Sequence, residues 1–359
     1  MRIGRLLGAS MLLLTAACAT DSHNLNSPLA PGQRPALRST EAGFWYQMDK
    51  FEKRLGNSAL VNRDPDLNAY VRSVICRLEA DHCSAIKLFV LKHPYFNATM
   101  APNGSMHVWT GLLLRVENED QLATVLGHEL AHYLHRHGIK KYNSVKATTD
   151  FLTFFAIATG GVGFGFVGLA ASIGAAGSLT AYSRDLETEA DREGLILMHR
   201  AGYNSAEAAR LWRQIKAEKD ASKEEKKSVF WATHPPTEQR IAALEKQNKL
   251  FDQTASKQET AVPSEFKQIV DRYWHQWMEE LISTQAFEEA LVVVDQLENR
   301  GFNGYELAYF RGEILRRRSA EGDLKDAAIY YDKAAGQNPA PLKTHKQRGL
   351  VAKRLGQKE

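Results

Sequence analysis

The sequence predicts a mainly α-helical fold with one small β-sheet, followed by a second, all-helical region. Three observations predict it. Apolar residues return every three to four positions through most of the 359 residues, the period of amphipathic helices. Strand-like alternation is confined to the short region between Ile86 and Thr110. A polar stretch, 251–265, then separates this α+β part from a helical pattern over 266–359 with small residues at regular positions.

Composition sets outer bounds. Hydrophobic residues make up 44% and charged residues 25%, as in globular proteins. The length suits one or two domains with ample core. A formal charge of +4, with no stripe of basic and aromatic residues, argues against a nucleic-acid partner.

Residues 1–17 read as an export signal. Arg2 and Arg5 precede the apolar run Leu6 to Ala17, which is too short for a membrane span and ends in small residues. Thr15-Ala16-Ala17-Cys18 resembles a bacterial lipobox. That resemblance implies that Cys18 is lipidated, and Ala19 after it resembles lipoproteins sorted to the outer membrane. Residues 18–40, rich in Ser, Pro and Asn, read as an unstructured tether.

Glu41 to Leu60 and Asp64 to Leu78 read as helices, the second with Asp64 as N-cap and Pro65 at the first helical position. Export gives Cys76 and Cys83 a reading as a disulfide pair. On one continuous helix they would stand about 10 Å apart, too far to bridge. The bond therefore requires the helix to end near Ala80. Ile86 to Leu91 reads as a strand. Asn97 to Ala101 and Met106 to Thr110 read as two more around the turn Pro102-Asn103-Gly104.

Next comes the stretch that carries chemistry. Asp120 to Val125 begins a helix that continues into His128-Glu129-Leu130-Ala131-His132. Residues four apart share a helix face, so both imidazoles can hold one metal with Glu129 beside it. This is the H-E-x-x-H arrangement of zinc peptidases. Zinc favours such ligands and in catalytic sites takes three of them, leaving one position for water. Glu129 would take the water's proton and pass it to the leaving amine. His135 and His137 follow at spacings that make neither a ligand, and read as surface residues. On a second helix, Glu187 and Asp191 are again four apart. Glu187 can complete a His-His-Glu set, and Asp191 can hold the far nitrogen of a ligating histidine. Glu189 should project away from that face.

Between these helices, Phe151 to Ser183 carries no charge and many glycines. It is long enough for a bilayer, but a single span would part His128 from Glu187. It reads instead as a mobile helical hairpin or loop beside the cleft, in contact with the core, a membrane surface or a membrane protein. Ser205 to Lys216 reads as a helix with Ser205 as its cap. Ala217 to Lys227 is charged and solvated. Thr233-His234-Pro235-Pro236 ends a loop, with Arg240 one turn into the next helix. In the C-terminal region, Gly312, Gly322, Ala327, Tyr331, Ala334 and Pro339 resemble a tetratricopeptide repeat. Ala290, Val294 and Leu297 form a weaker earlier copy, and Gly349 and Leu355-Gly356 begin another. Stacked helix pairs of this kind present a concave surface to a partner.

Taken together, H-E-L-A-H, S-R-x-x-E-x-E-A-D (183–191) and T-H-P-P (233–236) resemble the gluzincin metallopeptidase family of CAAX prenyl proteases, HtpX and BepA-type enzymes. Asn97-Ala98, Gly104 and Thr110-Gly111-Leu112 match the segment before that family's metal helix. The resemblance covers roughly residues 40–250, taken here as one peptidase domain over 41–250. It implies one zinc ion per chain on His128, His132 and Glu187, Glu129 as base and Asp191 behind a ligand. It implies that His234 reaches the zinc as a latch, or else stabilises the oxyanion. It further implies that the strand Met106, His107, Val108, Trp109 is an edge that pairs with extended substrate, although His107 itself reads as structural. The expectation is an exported, lipid-anchored zinc endopeptidase in the periplasm. It would degrade misassembled envelope proteins, and the repeats would engage clients or the outer-membrane protein assembly machinery. The alternative is a periplasmic chaperone or adaptor with a structural metal, against which the intact Glu129 counts. A membrane-embedded CAAX-type protease would need several apolar spans that this sequence lacks.

Overall fold

The computed structural model describes residues 25, 27–145, 182–221, 230, 234, 237–252, 265–337 and 341–356. The export signal, Cys18, nearly all of the uncharged stretch, the neighbours of His234 and most of the polar linker lie outside the described residues.

Capping side chains start the first helices where the sequence places them. Ser39 accepts from Ala42 N at the head of α1 (Thr40–Gly56). Asp64 accepts from Leu67 N before α2 (Pro65–Leu78). Each satisfies one of the orphan amides of a helix start. α2 stops at Leu78, and the chain folds back through a single turn at Cys83–Ala85. A disulfide joins Cys76 to Cys83, with Cα atoms 4.8 Å apart.

The sheet has three strands in the order β1-β3-β2. β1 (Lys87–Leu91) runs parallel to β3 (Ser105–Trp109), and β2 (Ala98–Met100) pairs with β3 as an antiparallel hairpin. Gly104 turns that hairpin at φ 85°, and a Cβ there would stand 2.6 Å from the Ala85 carbonyl oxygen. Only glycine satisfies both demands. After a short α3 (Thr110–Arg115) comes α4 (Glu119–Leu134), capped by Asn118 through Gln121 N. α4 is buried on all sides from Gln121 to Tyr133, lying among α2, β2, α6 and α7. α5 (His137–Val145), α6 (Arg184–Arg200), α7 (Ala206–Ala221) and α8 (Glu238–Asp252) complete this part. Ser205 does not cap α7. Its hydroxyl donates to Asn248 Oδ1 at 2.5 Å, and Asn204 Oδ1 accepts from Ala206 N instead.

Part of the tether is folded. Leu29 is buried, its amide donates to Leu134 O at the end of α4, and its carbonyl lies 3.0 Å from His82 Nε2.

The C-terminal helices are α9 (Glu265–Ser283), α10 (Phe287–Asn299), α11 (Gly304–Arg318), α12 (Asp323–Ala335) and α13 (Leu342–Arg354). The hydrophobic core does not stop at the polar linker. Trp274, Trp277, Val293 and Ile314 belong to the same buried cluster as Leu112, Leu126 and Trp212. Arg300 donates to Leu114 O at 3.1 Å, which ties the turn after α10 to the end of α3. Among the described residues, the last of these helices form a cluster of their own around Leu315, Ala327, Tyr331 and Val351. Among the described residues no helix is long and apolar enough to cross a membrane.

Candidate metal centre

α4 supplies His128, Glu129 and His132; α6 supplies Glu187, Glu189 and Asp191. The two helices touch backbone to backbone. A Cβ on Gly194 would stand 3.0 Å from His128 N, and one on Gly127 would stand 3.2 Å from Gly194 O. This closeness brings side chains from both helices to one point.

His128, His132, Glu187 and His234 are all buried, and one ligand atom of each lies within 4.8 Å of every other. His132 Nε2 is 3.0 Å from His128 Nε2 and 3.4 Å from Glu187 Oε1. His234 Nδ1 is 2.8 Å from Glu187 Oε1 and 3.2 Å from His128 Nε2. Four donors held about 2.0–2.2 Å from a tetrahedral zinc stand roughly 3.3 Å from one another, so this set fits zinc. The chemistry fits as well. Burial pushes His132 well below its usual pKa, leaving a neutral ring with a lone pair to give. Burial opposes ionisation of Glu187, yet the charges of His234 and Arg240 outweigh it and hold its carboxyl well below the usual range.

Glu129 is placed differently. Its Oε1 is buried, makes no hydrogen bond among the described residues, and lies 3.5 Å from His234 Nε2. Burial pushes its carboxyl upward, partly opposed by His234 and His128. A shift in that direction makes the carboxylate a stronger proton acceptor.

Each of the two α4 histidines has a polar group behind it. His128 Nδ1 lies 3.0 Å from Asp191 Oδ1. Arg240 clamps Asp191 with two 2.7 Å bonds and reaches Glu187 Oε2 at 2.8 Å. On the other side, His132 Nδ1 meets His137 Nδ1 at 2.8 Å, and His137 Nε2 meets Glu189 Oε2 at 3.0 Å. His137 is therefore no surface residue: it is fully buried. α4 ends at Leu134, and Arg136 takes a positive φ of 56°, which swings His137 back under His132. Five-residue spacing on a continuous helix would not do this, so spacing could not reveal it. His135 is half-buried and also faces Glu189, at 3.3 Å. As expected, Glu189 points away from the metal donors. Tyr182, unremarked in the sequence, stacks on His132 with centroids 4.0 Å apart. Nor did spacing assign a role to Arg240; two buried acids on one helix face were the available sign that a cation had to meet them.

The strand expected to meet substrate is not an edge. Met106, His107, Val108 and Trp109 lie in β3, which is paired on both sides and buried throughout. His107 is held by Thr99 and Ser105, a structural role. The outer strand beside α4 is β2.

The model for Peptidase family M48 matches residues 61–248, which include every donor described above. The chain belongs to peptidase family M48. Relatives that share this core include mitochondrial metalloendopeptidases and proteases named for β-barrel assembly. The mitochondrial metalloendopeptidase OMA1 of Schizosaccharomyces pombe is 34% identical over 179 residues, covering 49% of this chain and 51% of that protein. Human mitochondrial metalloendopeptidase OMA1 is 29% identical over 234 residues, 58% of this chain and 41% of its own. A putative beta-barrel assembly-enhancing protease of Vibrio cholerae is 30% identical over 205 residues, 54% of this chain and 41% of its own. The matches thus span about half or less of each relative. M48 peptidases are zinc-dependent, and His128, His132, Glu187 and His234 form a buried group within the matched region that could hold the ion.

Proposed function

We propose that this M48 chain is a zinc-dependent metalloendopeptidase that hydrolyses misfolded or misassembled cell-envelope proteins. The observation that carries the peptidase reading is Glu129, buried with its Oε1 free of hydrogen bonds among the described residues and 3.5 Å from His234 Nε2, beside the converged donors. A purely structural zinc needs no base there, whereas hydrolysis does. Bound zinc supplies Lewis acidity at this point. The chain's own residues do the rest. His128, His132 and Glu187 hold the ion. Glu129 accepts a proton at Oε1 from the attacking water and returns it to the leaving amine. Substrate main chain pairs with the outer strand β2 rather than with β3.

His234 is read as a latch. Its Nδ1 lies within hydrogen-bonding distance of Glu187 and His128, and as a fourth donor to a bound ion it would compete with an attacking water. Opening requires it to swing out.

Several features support an exported, lipid-anchored protein at the outer membrane. Cys76 and Cys83 are bonded, as befits an oxidising compartment. Residues 1–18 have the pattern of a lipoprotein signal. The Vibrio relative carries a name tied to β-barrel assembly. The C-terminal helices would act as tetratricopeptide-like repeats that present clients or engage the assembly machinery.

Casein cleavage and zinc content, measured on wild type, Glu129→Gln and His234→Ala, test the reading. About one zinc per chain, cleavage lost with Glu129→Gln, and faster cleavage with His234→Ala are expected. Zinc bound with no cleavage by wild type or His234→Ala would favour a chaperone instead. A large fall in turnover of His234→Ala with zinc retained would replace the latch by an oxyanion role.

A further inference from the structure

The hydrogen bonds behind His132 run outward in one line: His132 Nδ1 to His137 Nδ1 at 2.8 Å, then His137 Nε2 to Glu189 Oε2 at 3.0 Å. We infer that His137 and Glu189 are positioning residues that hold His132 in the one tautomer able to bind the metal. The polarity follows from the outer end. An ionised carboxylate only accepts, so His137 must donate to Glu189 from Nε2. A neutral ring carries one proton, which leaves His137 Nδ1 as an acceptor. It can then face His132 Nδ1 only if that nitrogen bears hydrogen. His132 Nε2 is thereby left bare, aimed at His128 Nε2 and Glu187 Oε1.

The same line excludes another reading of the neighbourhood. His135, His137 and Glu189 also form a cluster with metal-ligand chemistry. A metal on His137 Nε2 would move that ring's proton to Nδ1, against the proton His132 needs there. Loading the inner site therefore turns the outer cluster into its support. His135 Nδ1, 3.3 Å from Glu189 Oε1, steadies the carboxylate. On the opposite side Asp191 Oδ1 lies 3.0 Å from His128 Nδ1, with no ring between. The added ring lets an acid on the outer face of α6, 32% exposed, act on a ligand that is itself buried.

This inference rests on the zinc reading of the site, and its test does not use catalysis. Zinc affinity of the full chain would be measured by competition with a chromophoric chelator for wild type, His137→Asn, His137→Leu and Glu189→Leu. Asparagine keeps an acceptor, Oδ1, on the same carbon that carries Nδ1. It should bind zinc within a few-fold of wild type. Both leucine variants should bind about 10–100-fold more weakly, the usual loss for a partner behind a metal ligand. Equal affinity of His137→Leu and His137→Asn would overturn the inference. If His137→Leu fails to fold, Glu189→Leu decides, because that side chain lies at the surface, and unchanged affinity there is equally fatal. Nitrogen-15 spectra of histidine-labelled, zinc-loaded wild type should show His137 protonated at Nε2 and bare at Nδ1; the reverse tautomer would overturn the assignment. Wild type that binds zinc but cleaves nothing would sink only the peptidase reading. Wild type that binds no zinc would sink both.

Discussion

Two helix pairs in this chain meet at glycine, and the contacts differ in kind. Where α4 crosses α6, Gly127 and Gly194 set backbone against backbone. Where α11 meets α12, a Cβ on Gly312 would stand 3.0–3.1 Å from the ring of Tyr331. Backbone against backbone has no free end to move, whereas Tyr331, although fully buried and bonded to Glu313, is a side chain that needs to give by only a few tenths of an ångström. The rigid contact lies where donors from two helices must agree on one point. The compliant one lies where helices need only pack. The same division appears in their polar groups. Around the metal donors Arg240 is shared between two buried acids. In the C-terminal pair, Glu313 takes 2.6 Å and 2.8 Å bonds from Tyr331 and Arg316, the arginine being partly exposed.

The sharpest way to break this contrast is Arg240→Leu. Two buried carboxylates, Glu187 and Asp191, would lose their cation, at a cost of about 3–5 kcal/mol. Denaturant unfolding of the zinc-free protein measures it, and an unshifted midpoint would mean that the clamp holds nothing. Gly194→Ala comes next. Overpacking costs about 1–3 kcal/mol, partly offset by the ~1 kcal/mol that alanine gains in a helix. Zinc affinity should fall with it, since His128 N is the atom crowded. By contrast, Gly312→Ala should change stability by less than about 1 kcal/mol, because the same helix gain offsets a contact in which one side chain must give by a few tenths of an ångström. Its zinc affinity should match wild type. If Gly312→Ala proves as damaging as Gly194→Ala, the distinction between rigid and compliant crossings fails.

The smallest effect is in pH. Burial opposes ionisation of Glu313, but hydrogen bonds from Arg316 and Tyr331 outweigh it and hold its carboxyl below the ordinary 4.5. The unfolded chain then takes up that proton at a higher pH than the folded one. The resulting stabilisation is complete above about pH 4.5 and drains away as pH falls through the folded-state value. Glu313→Gln should flatten that part of the profile when urea midpoints are compared between pH 6 and pH 4.

Much of the fold was legible in sequence because it rests on local chemistry. Asp64-Pro65 starts a helix wherever it occurs, and Gly104 turns a hairpin whose neighbours alternate. His128, Glu129 and His132 were legible for a similar reason: helical spacing alone places them on adjoining faces. Glu187 and Asp191 shared that advantage on their own helix. The substrate edge was misread because the resemblance was carried onto the second strand of the hairpin, and alternation, which identifies a strand but not its neighbours, could not correct it. β3 is central only because β1, which precedes it in the chain by more than ten residues, comes to lie on its far side. The division at the polar linker was drawn too cleanly for a related reason. Composition changes there, yet Trp274 and Trp277 pack into the core of the part before it.

Spacing along single helices thus determined which residues could hold a metal, since the α-helical period is a property of the backbone itself. Tertiary structure alone decided that His137 supports His132, that Arg240 joins Asp191 to Glu187, and that His234 reaches the donors. Each depends on chain segments arriving from different directions: a helix broken at Arg136, a crossing without side chains at Gly127 and Gly194, and a residue more than a hundred positions from His128. No local periodicity encodes those approaches, because they are fixed by packing among whole elements.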